Sequence, residues 1–179
     1  MRGTPRLVAA LLTLLTALLL QVTVFPHLAW NGVVPDLVLL VVVGAALVTD
    51  PRFATLLGFG AGLLLDLAPP ADHVAGRWTL ALLVVGYVVG RLAHDHQALT
   101  GRPSYGLMVV AGAGGSFVGT SVFALTGVLL RDPVVEVGQL LEVVLTALAW
   151  DALAALVVVP ATVWLFTREP GRRTAPALR

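Results

Sequence analysis

From Leu7 to Phe25 the chain runs 19 residues without a charged side chain, and five more stretches nearly as apolar follow it. They cover Val33–Val48, Phe53–Ala68, Trp78–Ala93, Tyr105–Leu130 and Leu140–Phe166. A helix that crosses a bilayer needs about 20 predominantly apolar residues, with a range of about 17–25. Charged residues make up 12% of the 179 residues, against about 25% in a soluble domain. A soluble fold of this size could not cover its surface with so few charges. The expectation is therefore an all-α integral membrane protein, a bundle of about six short transmembrane helices. Residues 1–168 form one domain in this reading, and 169–179 a short basic cytoplasmic tail. The chain has no cysteine, which excludes a disulfide framework and a thiolate metal site.

The breaks between the stretches carry turn signals: Pro26, Asn31-Gly32 and Pro35, then Asp50-Pro51-Arg52, Pro69-Pro70, His94 to Pro103, and Arg131-Asp132-Pro133. No small-x-small cleavage site follows the first stretch, so it reads as a retained signal anchor. All eleven basic residues are arginines. With the N-terminus inside, nine lie in cytoplasmic segments and two, Arg77 and Arg131, in outer loops. Arginine near membrane ends is retained on the cytoplasmic side, so both termini are expected there, in a bacterial inner membrane. The second and third stretches are short enough to form a re-entrant hairpin, but that would strand Asp50 and Arg52 at mid-bilayer. Two short crossings cost less. Val134–Leu145, with Glu136, Gln139 and Glu142 on one side of a helix, suits an outer interface before the last helix turns inward. Pro160 should kink that helix.

Charged residues inside spans are costly and mark candidate sites. Asp151 falls deepest, near the middle of the last stretch. It reads either as a functional acid or as one that locks two helices together. Asp36, after Pro35, suits the N-terminal cap of the second helix. Asp66 falls at the unfavourable C-terminal end of the third and wants a partner, for which Arg77 is the nearest cation. Glycines four apart, Gly58/Gly62, Gly86/Gly90 and Gly115/Gly119, let a second helix approach closely. Packing inside the bundle is the favoured reading over a partner groove. The Leu-rich first stretch suits lipid or an external helix. Trp30, Trp78 and Trp164 fall where interfacial anchors belong. His94-Asp95-His96 reads as a polar loop, because its two imidazoles point to different sides of a helix. Nothing calls for a metal, a cofactor or nucleic acid, and no catalytic motif occurs.

Two segments carry a resemblance. Pro35-Asp36-Leu37-Val38-Leu39-Leu40 and Leu57-Gly58-Phe59-Gly60-Ala61-Gly62-Leu63-Leu64-Leu65-Asp66-Leu67 are similar to the PDL…GFxxGLxxD pattern of the rod shape-determining MreD family. Length, short spans and the basic C-terminal end agree with it. Where that family's last helix is expected to carry asparagine, this chain has Asp151. The resemblance implies a non-enzymatic scaffold subunit of the bacterial cell-elongation machinery. Such a subunit binds the bitopic protein MreC and through it serves MreB filaments and peptidoglycan synthases. It also implies a fold like the substrate-binding subunit of energy-coupling-factor transporters. A vitamin-binding subunit of that kind is the alternative, with Asp66, Arg77, Trp30, Trp78 and Asp151 as its thin polar inventory.

Overall fold

The computed structural model describes residues 4–29, 32–69, 74–130 and 137–168. Among them the chain forms six α-helices and no strand: α1 (Thr4–Thr23), α2 (Leu37–Ala46), α3 (Pro51–Leu67), α4 (Arg77–Thr100), α5 (Tyr105–Leu129) and α6 (Val137–Thr167). By length and composition three are able to cross a membrane, over Arg6–Thr23, Tyr105–Leu129 and Glu142–Thr167. Trp30, Asp72, His73, Arg131, Asp132, Glu136 and the 169–179 tail lie outside the described residues.

The shortest helix is the centre. All ten residues of α2 are buried, and it touches each of the other five helices. Four of them are valines, which lose rotamer freedom in a helix. Here that cost is offset by burial on every side. Ten residues rise only about 15 Å, half of a ~30 Å hydrocarbon core. The apolar run from Val33 had suggested a longer helix. Pro35 prevents it, because its ring disfavours helical backbone at Val34. Gly32 takes a left-handed φ of 77°, and residues 33–36 are not helical.

Successive helices run in opposite directions. Along the α3–α4 pair, Gly62 meets Trp78 and Thr79, Gly58 meets Leu82, Gly86 meets Ala54, and Gly90 meets Pro51. A methyl group on Gly58, Gly62 or Gly86 would fall on backbone atoms of the facing helix. These pairs are internal packing, as in close membrane-helix contacts. Gly115 and Gly119 instead receive Val43 and Leu39 of α2. Among its described side chains the helix α1 buries only Ala10, Leu14 and Ala17, the i, i+4, i+7 stripe of one face. Its Leu7, Leu12, Leu15 and Leu19 are exposed.

Contacts gather the arginines at one end. Arg6 stacks on Phe53, 4.6 Å from the ring centroid. Gly90 beside Pro51 brings Arg91 and Arg52 to the same level, and Arg102 and Arg168 line one pocket there. Of the six described arginines, only Arg77 stands at the opposite end. Asp50 and Arg52 therefore sit at the end of the bundle and not at its mid-height. Asp50 caps α3, accepting from Phe53 N–H at 2.9 Å.

Two expected breaks are helical. His94, Asp95 and His96 continue α4, which reaches Thr100. A polar helix end can project into water, and the Gln97 amide anchors it by donating to the Leu47 carbonyl. Likewise α6 is continuous from Val137, so the part of Val134–Leu145 that is described belongs to one helix with Asp151, and residues 134–136 lie outside the described residues.

Candidate functional site

A helix start leaves backbone N–H groups without partners. In an apolar bundle each must find a side chain. The start of α2 faces this demand at mid-height, since it lies beside Ser116, the twelfth residue of α5, and Asp151, the fifteenth of α6. The Asp36 Oδ1 accepts from Leu39 N–H at 2.9 Å, the cap expected from its place after Pro35. Gln21 of α1 accepts from Val38 N–H at 3.1 Å. Asp151 Oδ1 accepts from Asp36 N–H at 2.6 Å, and its Oδ2 from the Ser116 hydroxyl at 2.6 Å. Side chains of α1, α5 and α6 thus converge on one helix start. Asp151 is 2% exposed and Ser116 fully buried. The second oxygen of Asp36 is buried without a hydrogen-bond partner among the described residues.

The other aspartate joint is at the arginine-poor end. Asp66 stands at the C-terminus of its own helix but reaches the N-terminus of the next one. Its Oδ2 accepts from Gly76 N–H at 2.9 Å, Thr79 N–H at 3.0 Å and the Thr79 hydroxyl at 2.5 Å. Its Oδ1 accepts from Trp78 N–H at 3.2 Å. The unfavourable dipole of α3 is thereby exchanged for the favourable one of α4. Arg77, 3% exposed, turns toward α5. It donates to the Phe123 carbonyl from Nη2 at 2.9 Å, with its guanidinium 3.8 Å from the Phe123 ring centroid. Trp78 stacks on the same ring at 4.3 Å.

The candidate residues therefore divide. Asp36 and Asp151 meet at mid-height; Asp66 and Arg77 brace the arginine-poor end of the bundle; Gly58 and Gly62 face the backbone of α4. Ser116, Gln21 and Tyr105 were missed by sequence reasoning. Single polar residues in apolar stretches were the only signal. Tyr105 answers a defect made by Pro160. Proline lacks the N–H that would bond the Leu156 carbonyl, and the Tyr105 hydroxyl donates to that carbonyl at 2.8 Å.

Two apolar grooves open on the sides. One, of about 460 Å³, lies between α4 and α5, with Val85, Val89, Leu107, Val110, Gly114 and Gly115 in its lining. The other, of about 410 Å³, lies between α1 and α6. At Gly114 the groove has open space over the backbone.

Comparison with protein-family models, curated proteins and solved structures finds no match to this chain.

Proposed function

We propose that this protein is a multi-pass scaffold of the bacterial inner membrane that binds the single membrane helix of an MreC-like partner in the cell-elongation machinery, and turns over no substrate. Large apolar side chains exposed all round, such as Leu12 on α1, Leu56 on α3, Leu92 on α4, Leu125 on α5 and Val157 on α6, support immersion in lipid. Alternating helix directions support repeated crossing. The arginine-rich end faces the cytoplasm in this reading, with both termini there and Asp66 and Arg77 outside.

The observation that carries the reading is where the family-like segments fall. Pro35–Leu40 and Leu57–Leu67 supply Asp36, Gly58, Gly62 and Asp66, the residues that cap α2, seat α4 against α3 and cap α4. A pattern that builds the frame, and not a ligand cavity, suits a scaffold. The partner helix is assigned to the α4–α5 groove, where Gly114 offers backbone for close approach. Gly114→Leu should weaken co-purification with the MreC-like protein while the variant stays folded. A saturable site for a vitamin-like ligand on the purified protein, together with no elongation protein recovered by crosslinking in cells, would overturn the scaffold reading.

A further inference from the structure

At the arginine-rich end, the residues just before α5 and the last turn of α6 enclose a pocket of about 350 Å³. It is lined by Arg102, Pro103, Val163, Trp164, Thr167 and Arg168. Among the described residues, two arginines and no acidic residue line it. Arg168 lies over the Trp164 indole, 3.9 Å from the ring centroid. Stacking engages the face of a guanidinium and leaves its in-plane N–H fork directed outward, the geometry that matches a phosphate. Pro103 precedes Ser104, the N-cap of α5, so the positive end of a 25-residue helix opens toward the same space. The α6 C-terminus contributes the opposite sign, and the two arginines outweigh it. The Trp164 indole is 52% exposed, as suits a ring at headgroup level.

We propose that this pocket binds the phosphate of an anionic lipid headgroup, fixing the α4–α5 connection to the end of α6. Pro103, Val163 and the indole give the pocket an apolar wall beside its charges. That combination fits the junction of a phosphodiester with its acyl chains better than a fully hydrated ion. A basic pocket between helices on the cytoplasmic side is where such headgroups are held. This assignment rests on the membrane reading above, but the two fail separately: recovery of the chain in the membrane fraction tests that reading, and headgroup selectivity tests this one.

The full chain, purified in neutral detergent, would be offered phosphatidylglycerol, phosphatidylcholine and inorganic phosphate, and retained adducts read by native mass spectrometry. Phosphatidylglycerol should be retained in clear preference to phosphatidylcholine. Each pocket arginine should contribute about fivefold, so Arg102→Ala with Arg168→Ala brings the two lipids level. Arg52→Ala, a loss of charge at the same end but outside the pocket, should keep the preference. Equal retention of both lipids by the unaltered chain overturns the proposal whether or not the double variant folds. Equal loss in Arg52→Ala overturns it as well, because net charge would then suffice. Retention of inorganic phosphate as strong as that of the lipid would assign the pocket to a free anion instead.

Discussion

The two aspartate joints do the same chemical task at different depths and over different distances along the chain. Asp66 caps α4 from 10 to 13 residues away. Asp151 reaches the start of α2 from 115 residues away and does so halfway down the bundle. Both carboxylates are buried, Asp66 at 5% and Asp151 at 2% exposure, but Asp66 stands at the end of the bundle, where removing its side chain opens the α4 start to water. At mid-height of a lipid-immersed bundle, as proposed above, there is no water to take the carboxylate's place, and an orphaned donor carries its full desolvation cost. The joint at mid-height is therefore the one whose loss the fold should tolerate least, although Asp151 accepts two hydrogen bonds and Asp66 at least four.

Neither joint should matter as much as the seam that brings α3 and α4 together. Gly62→Leu puts a side chain onto the Trp78 carbonyl and the Thr79 backbone, which cannot move aside as a side chain can. A loss of at least about 3 kcal/mol is expected, seen as aggregation on gel filtration and collapse of thermal stability in detergent. Gly114→Leu, over open space, should leave both unchanged. A stable, monodisperse Gly62→Leu protein would show that the helices are not in backbone contact.

The comparison of depths is broken or sharpened by a matched pair. Asp151→Ala strips the acceptor from Asp36 N–H and from Ser116, at about 2–4 kcal/mol. Asp66→Ala removes a helix cap that water can partly replace, at about 1–2 kcal/mol. Asp151→Asn keeps one acceptor oxygen and should be milder than Asp151→Ala. Denaturant or thermal unfolding in one detergent reads all three. A greater loss from Asp66→Ala than from Asp151→Ala would sink the argument from depth.

What could be read from the sequence follows the same division. The Asp36 cap was legible because an N-cap needs only its own next turn, and the glycine pairs because spacing on a helix is local. Asp66 was recognised as needing a partner, and Arg77 was named for it by charge. The hydrogen bonds the structure gives to Asp66 come mainly from backbone N–H groups, which no sequence displays. The mid-height start of α2 was hidden because Val33 and Val34 look like helix, and Pro35 disfavours helical backbone at Val34. The extent of α4 was hidden because polarity at His94–Gln97 signals water and not a break. Ser116 and Gln21 could not be singled out, since their roles exist only once α2 is placed between their helices.

The smallest expected effect tests whether polar side chains answer backbone defects as well as helix starts. Pro160 leaves the Leu156 carbonyl without its helical donor, and Tyr105 supplies one at 2.8 Å. The ring is 56% exposed and the site is near the arginine-rich end, where water competes. Tyr105→Phe should therefore cost only about 0.5–1 kcal/mol, in the range found for single hydrogen bonds between membrane helices. The sharper measurement is a double-mutant cycle. Pro160→Ala restores the N–H of residue 160, which can take the Leu156 carbonyl itself. In that background the hydroxyl has nothing left to repair, so Tyr105→Phe should cost close to nothing. An equal cost of Tyr105→Phe in both backgrounds would mean that the phenol steadies α5 against α6 for some other reason, and that the proline is satisfied without it.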